Sequence, residues 1–293
     1  DEALDLKEAP ESLVIIGANY IGVEMAQIFS SFGSKVTVVE RKESAIDVVD
    51  SEVSSVLIKS LEKSGIKFIF GKEITEISGE KVLAGSEEVA SAKVILVTTR
   101  EADLTALKDV NLEISDGNVV ANEKMQSSLK NVYVPGDVNG KNLLAHAAFK
   151  MGYIAASEIV EGKSDKYNNN IIPRAIYTYP EIGSVGLTEE EAKKSYDVKV
   201  GKFNYGANGR ALAHGDSSGM VKIISDARYG EILGAHIVGP RASELINEVS
   251  ILMQSEVIVE EAIKMVFGHP TFSEAIYEAI ADVEGVSVHL PKK

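Results

Sequence analysis

The 293-residue sequence contains no cysteine. That excludes disulfides, thiolate-bound metals and thiol chemistry from these residues, and it leaves the redox compartment open. No metal site is expected. No apolar run approaches the roughly 20 residues of a membrane-spanning helix, so a membrane is not an expected partner. Basic charge is scarce: 30 Lys and Arg stand against 44 Asp and Glu, a formal net charge of −14. Nucleic acid wants a basic surface, so it is not an expected partner either, and the acidity serves solubility. The start, Asp1-Glu2-Ala3-Leu4-Asp5, lacks an initiator Met and a signal-peptide pattern and reads as the interior of something longer. Internal repeats are also missing. The rest is ordinary for a globular protein, with 45% hydrophobic and 25% charged residues. The length has room for two domains, each with its own core.

The organising stretch is Val14 to Glu40. An apolar run, Val14-Ile15-Ile16, enters Gly17-Ala18-Asn19-Tyr20-Ile21-Gly22-Val23-Glu24. A helical pattern follows, and a second apolar run, Lys35 to Val39, ends on Glu40. This is the order of a dinucleotide-binding βαβ unit. Gly17 makes the tight turn, and Gly22 lets helix and strand pack closely. The helix N-terminus offers free N–H groups and a partial positive charge to a pyrophosphate. Glu40, 18 residues after Gly22, is placed to accept the hydroxyls of an adenosine ribose. An acid there repels a 2′-phosphate, so NAD is expected over NADP, although Arg41 and Lys42 follow it. The middle glycine of the pattern is missing: Asn19 stands in its place. Asn tolerates a left-handed backbone, so the turn is expected to survive, with a side chain in space a phosphate would use. The plainer alternative is a βαβ unit whose glycines serve packing alone.

Further along, Val53, Val56, Leu57 and Leu61 have helical spacing within 51–64, and Gly65 stops the helix. Residues 66–70 read as a third parallel strand. Segments 73–77 and 81–83, with the turn around Ser86, read as a β-meander, and 93–98 as a further buried strand. Residues 132–138 read as a short strand ending in Gly136-Asp137, where Asp137 either holds a sugar or ribityl hydroxyl or is simply a turn residue. Residues 144–160 have helical periodicity and carry His146, by itself a packed or surface residue. The polar stretch 162–170 reads as a domain boundary. Beyond it come short strands at 175–178, 184–187, 199–205, 220–225 and 232–238. Helices are expected at 242–254 and 259–266, and at Thr188 a capping box opens another. This portion reads as an antiparallel sheet with helices on one face.

A second chemical stretch is Gly268-His269-Pro270-Thr271-Phe272-Ser273-Glu274. Pro270 keeps His269 out of the helical region, and Thr271 is expected to cap the helix after it. Glu274 is then either the capping-box acid or the partner of His269, holding one ring nitrogen so that the other acts as a base.

On these motifs the chain resembles the C-terminal two-thirds of the flavin-dependent pyridine nucleotide-disulfide oxidoreductases, most closely the dihydrolipoamide dehydrogenases. Tyr133 to Val138, Leu143 to His146, Tyr177 to Ile182, Ser184 to Thr188, Asn208 to Ala211, Leu233 to Gly239 and His269 to Glu274 carry the resemblance alongside Gly17 to Glu24. It implies an α/β architecture in three parts. Residues 1–100 would be a Rossmann-like NAD domain with parallel sheet and β-meander. Residues 101–168 would be the returning part of an FAD domain, and 169–293 an α+β dimer-interface domain. It further implies FAD and NAD as cofactors, a cytoplasmic homodimer active in redox homeostasis, and dihydrolipoamide or a lipoyl-bearing protein as substrate. His269 would take a thiol proton, with Glu274 orienting it, in the site of the other subunit. Tyr20, beside Ile21, would gate the nicotinamide pocket. Asp137 would hold the flavin ribityl chain, with His146 nearby, and Glu24 would pair with an upstream lysine.

The family's redox cysteine pair and FAD pyrophosphate fingerprint have no counterpart in this sequence, so the chain is expected to be a fragment, or one piece of a split enzyme, that needs a missing N-terminal segment or chain. Thr99 also replaces a glycine of the family pattern in the loop 98–103. Two alternatives stay open: another flavin disulfide reductase of the same fold, or a non-catalytic NAD-binding or dimerisation module.

Overall fold

The computed structural model describes residues 2–78, 81–90, 93–97 and 100–291. Contacts divide the chain into two compact units, residues 1–98 with 173–293, and residues 99–172.

The first unit opens with β1 (Ser12–Ile16), α1 (Tyr20–Ser31), β2 (Lys35–Val39), α2 (Ser51–Lys63) and β3 (Lys67–Ile69). It continues with β4 (Ile74–Ser78), β5 (Lys81–Ala84), β6 (Glu87–Ala90) and β7 (Lys93–Leu96). Strands β3-β2-β1-β7 form one parallel sheet. Leu13, Val14 and Ile15 of β1 are all buried. Both faces of the sheet are covered, which is why this strand reads as a continuous apolar run. Gly22, Val23, Ala26 and Phe29 form the buried stripe of α1, and Asp50 caps α2 through the Glu52 N–H. The antiparallel meander β4-β5-β6 follows the expectation. The expected buried strand at 93–98 is an edge strand among the described residues instead: there β7 has one neighbour, and Val94 and Ile95 are only half-buried. Its last expected residue, Thr98, and Thr99 of the following loop lie outside the described residues.

The second unit contains a two-stranded ribbon, β8 (Ile114–Ser115) with β9 (Asn118–Val119), and the helix α3 (Ala145–Glu161). Met125, Ala147, Met151, Ile154, Ala155 and Tyr167 make its core. The expected strand at 132–138 does not form among the described residues: Tyr133 makes a single bridge to Gln126, and a 3-10 turn starts at Asp137. An apolar run becomes a strand only when a neighbour takes up its backbone groups. The polar stretch 162–170 is less of a linker than its composition suggests, because Tyr167 is buried against α3.

Returning to the first unit, the chain forms β10 (Arg174–Ile176), β11 (Glu181–Gly186), α4 (Glu189–Ala192), β12 (Val198–Asn204) and α5 (Gly209–His214). Then come β13 (Met220–Asp226), β14 (Ile232–Gly239), α6 (Ala242–Gln254), α7 (Val259–Ala262) and α8 (Glu274–Val283). The strands make a five-stranded antiparallel sheet in the order β10-β11-β14-β13-β12. Helices on one face only were expected, but every residue of β13 and β14 is buried. Alternation along the strands explains it. Val221, Ile223, Ala235 and Ile237 meet α6 and α8, while Met220 and Val238 join the core of the parallel-sheet half. The helix expected over 259–266 closes after four residues.

Candidate functional site

The glycine turn joins β1 to α1. Gly17 has φ +110° and donates its N–H to Val39 O at 2.9 Å. A Cβ on Gly17 would lie 2.7 Å from Val97 O, and one on Gly22 would lie 2.0 Å from Gly17 O. No other residue type fits either place. Glu40 leaves the end of β2 and reaches back to this turn. Its Oε2 accepts the Ala18 N–H at 2.8 Å and its Oε1 accepts the Lys42 N–H at 3.0 Å. The two motif halves therefore meet, as their spacing requires.

Asn19 behaves differently from expectation. Its φ is −72° and its ψ −179°, an extended N-cap conformation rather than a left-handed one. Its side-chain oxygen accepts the Gly22 N–H at 3.0 Å. Tyr20 and Ile21 are the first two helical residues, both half-buried. One turn on, Glu24 is half-buried and its Oε1 accepts the Tyr177 N–H at 2.8 Å. Burial pushes the Glu24 carboxyl above its ordinary range, against the opposing pull of that hydrogen bond. A lysine partner was expected for Glu24; within this chain a backbone donor takes that place. Gln27 fastens the same loop by exchanging two hydrogen bonds with the Tyr179 backbone, at 2.9 and 2.7 Å.

In the other unit, Asp137 is exposed at the start of its 3-10 turn, and His146 is exposed in the first turn of α3.

The His–Glu pair forms at the entrance to α8. His269 Nδ1 lies 2.8 Å from Glu274 Oε1, and the Thr271 N–H donates to Glu274 Oε2 at 2.8 Å. The pairing with His269 forms, whereas the capping box does not, because Ser273 and not Thr271 precedes the helix; the second Glu274 oxygen holds the Thr271 N–H of the entering loop. Thr271 does not cap the helix with its hydroxyl, which donates to Gly268 O at 2.7 Å. Ser273 occupies the cap position, and its hydroxyl donates to Glu248 on α6 at 2.7 Å. Asn208 Nδ2 donates to Thr271 O at 3.1 Å and so ties the loop to α5. The result is a rigid carboxylate beneath a presented ring: the Glu274 side chain is 21% exposed and that of His269 76%. Burial raises the Glu274 carboxyl, but the Thr271 N–H, the His269 contact and the charges of His269 and His289 outweigh it. They hold the carboxyl below the usual range. With Nδ1–H donated to that carboxylate, Nε2 carries the lone pair of an exposed ring.

The family pattern for pyridine nucleotide-disulphide oxidoreductase matches residues 1–152, and that of the family's dimerisation domain matches residues 172–280. The chain belongs to the pyridine nucleotide-disulphide oxidoreductase family. A dihydrolipoyl dehydrogenase of Bacillus subtilis is 35% identical over 98% of this chain and 65% of its own length. The mitochondrial dihydrolipoyl dehydrogenase of Pisum sativum is 36% identical over 98% of this chain and 60% of its own. Among solved structures, the Cu(II) complex of the HOCl-induced flavoprotein disulfide reductase RclA from Escherichia coli aligns with a TM-score of 0.88. It is 26% identical, over 96% of this chain and 66% of that one. The chain therefore spans slightly less than two-thirds of the length of these curated relatives.

Two features of this pyridine nucleotide-disulphide oxidoreductase chain were not anticipated from its sequence. The first is a second His–Glu pair on α8. Glu278, one turn beyond Glu274, accepts His289 Nδ1 at 2.8 Å, the Val288 and His289 N–H groups at 3.0 and 3.1 Å, and the Ser287 hydroxyl. Its side chain is 4% exposed, so one buried carboxylate pins the C-terminal segment to the helix that carries Glu274. The only sequence signal was a His following a helix that bears an acid at i+4.

The second is a buried charge cluster between α2 and the antiparallel sheet. Lys222 Nζ lies 2.8 Å from Asp50, 3.1 Å from Glu52 and 2.7 Å from Glu189. Asp50 also accepts the N–H groups of Glu52 and Glu189, capping α2 and α4 together. His236, opposite Lys222 on β14, accepts the Asp50 N–H on Nδ1 at 3.3 Å, and its Nε2 lies 3.1 Å from Leu187 O. These contacts make the ring a neutral Nε2–H tautomer, and burial pushes its pKa down. Among the described residues no group of His, Asp or Glu is arranged to hold a metal ion. No helix among them is long and apolar enough to cross a membrane.

Proposed function

We propose that this chain supplies the nucleotide-binding, dimer-forming and proton-accepting parts of a dihydrolipoamide dehydrogenase. The observation that carries the reading is the pairing of His269 with Glu274 at 2.8 Å, with the imidazole exposed. His269 Nε2 takes the proton of a dihydrolipoamide thiol, and Glu274 fixes the ring and stabilises the imidazolium that results. The second subunit of a homodimer provides the rest of the site, in keeping with the dimerisation domain at 172–280. Dihydrolipoamide, free or on a lipoyl-bearing protein, is the substrate, and the assignment extends to a cytoplasmic enzyme of redox homeostasis.

FAD and NAD fit the residues present to different degrees. At the nucleotide turn, Gly17 and Gly22 hold the backbone tightly packed, where a Cβ would strike Val97 O or Gly17 O, and the Tyr20 and Ile21 N–H groups head the helix as donors for a pyrophosphate. Glu40 sits at the turn, where its carboxylate favours ribose hydroxyls over a 2′-phosphate, so NAD is the nucleotide. Tyr20 would gate its nicotinamide. For FAD, exposed Asp137 would hold the ribityl chain with His146 beside it, and NAD bound at the turn would accept hydride from the flavin. The three-part division at residues 1–100, 101–168 and 169–293 belongs to the same reading. The chain has no cysteine, so the disulfide relay has to come from outside these residues.

The test is a chimera joining the FAD- and disulfide-bearing third of the Bacillus subtilis relative to this chain. Lipoamide-dependent turnover is expected, falling about 10²- to 10⁴-fold on His269→Gln. Full turnover in the His269→Gln chimera, or turnover by the 293-residue chain alone with added FAD, contradicts the proposal. The missing cysteines favour a second reading, an NAD-binding or dimerisation module without dithiol chemistry, which a chimera that binds NADH yet never turns over would support.

A further inference from the structure

We infer that Asn19 is an affinity-setting residue, whose carboxamide competes with a nucleotide pyrophosphate for the Gly22 N–H. The inference rests on the dinucleotide reading of the glycine turn and deepens it. In the G-x-G-x-x-G pattern the second glycine lets phosphate come close to the backbone. Here the backbone at 19 is an ordinary extended N-cap, so conformation gives no reason for glycine at this place. What differs from glycine is the side chain, and it is folded onto the donor. The amide oxygen sits 3.0 Å from the Gly22 nitrogen.

A second internal acceptor acts at the same turn. Glu40 Oε2 takes the Ala18 N–H at 2.8 Å. With the Gly17 N–H taken by Val39 O, three N–H groups of the Gly17–Gly22 turn thus have acceptors supplied by the chain itself. Those of Tyr20 and Ile21, which precede the first intrahelical hydrogen bond, are left to receive an anion. A phosphate oxygen forms the stronger, charge-assisted bond, so the carboxamide is displaceable. Displacement costs the cap, however, and that cost is subtracted from binding. Helix stability and nucleotide affinity therefore pull against each other at one side chain.

That opposition gives the test, made on the chain itself by titrating NADH and following its fluorescence, with thermal unfolding of the unliganded protein in parallel. Asn19→Ala keeps the Cβ and removes only the carboxamide. It is expected to tighten NADH binding about 3- to 30-fold and to lower Tm by roughly 2–4 °C through loss of the cap. Asn19→Asp keeps the cap and adds a negative charge facing the pyrophosphate, so it is expected to weaken binding by about 3-fold or more. Equal or weaker binding by the Ala variant, or tighter binding by the Asp variant, overturns the inference. If no form of the chain binds NADH at millimolar concentration, the dinucleotide reading itself fails and the inference falls with it. A gain in affinity alongside a loss in stability is not an effect that general disruption of the fold produces.

Discussion

At the scale of single residues, the strongest constraints are charges in places that composition alone would not put them. Lys222 and Asp50 each have side chains 3% exposed, and each is the other's main compensation. Lys222→Met leaves Asp50, Glu52 and Glu189 without their shared cation. It is expected to cost about 3–5 kcal/mol in urea unfolding, since removing one partner strands the other in a low dielectric. His236 adds a pH dependence. Burial depresses its folded pKa, so the unfolded chain binds a proton the folded chain refuses. Stability from this group is complete above the unfolded value of 6.5 and is lost as pH falls below it. Asp50, Glu274 and Glu278, all held low by their partners despite burial, add a second loss below their ordinary values of 3.8 to 4.5. Unfolding free energy measured from pH 8 down to about 2 should fall in two stages. His236→Gln should flatten the first stage and leave the second. None of this cluster was legible in the sequence. Lys222 and His236 become neighbours only through strand pairing, and Asp50 reaches them from 172 and 186 residues away.

At the scale of elements, local pattern carried far where backbone periodicity decides the outcome. The βαβ unit, the meander and the capping box at Thr188 followed from spacing because their determinants lie within a few residues of one another. The same logic makes Gly22 brittle. Gly22→Ala drives a methyl into Gly17 O and is expected to cost about 1–3 kcal/mol and to abolish NADH binding, read by unfolding and fluorescence together. Reading failed where an element depends on a distant partner. The run at 132–138 has strand composition but only one bridging neighbour among the described residues, and after Tyr133 the chain stays irregular up to the 3-10 turn at Asp137. The entrance to α8 was half legible. Glu274 was singled out, but its service to both His269 and the Thr271 N–H needed coordinates to see. So did Glu278, which holds the segment 287–289. Glu278→Gln is expected to lower amide-exchange protection of Val288 and His289 and to cost about 1–3 kcal/mol. Unchanged protection would show that Leu290 and its apolar neighbours anchor the segment instead.

At the scale of the whole molecule, the fold class was legible because several motifs occur in a fixed order along nearly the whole chain. Burial of the antiparallel sheet on both faces was not, since it follows from how Met220 and Val238 share a core with Leu13, Val38 and Ile15. That shared core places the nucleotide turn and the sheet beneath α8 in one compact unit. The proposal adds a division of labour across two subunits, and it has a direct measurement. Chimeras bearing His269→Gln are mixed in equal amounts with chimeras whose redox cysteines are replaced by Ser, and the subunits are allowed to exchange. Each parent is expected to be inactive in the lipoamide assay. The mixture is expected to recover roughly a quarter of wild-type turnover, because half the dimers then hold one intact composite site. No recovery, in a mixture shown by mass to contain the heterodimer, would contradict the assignment of His269 as the base delivered to the neighbouring subunit.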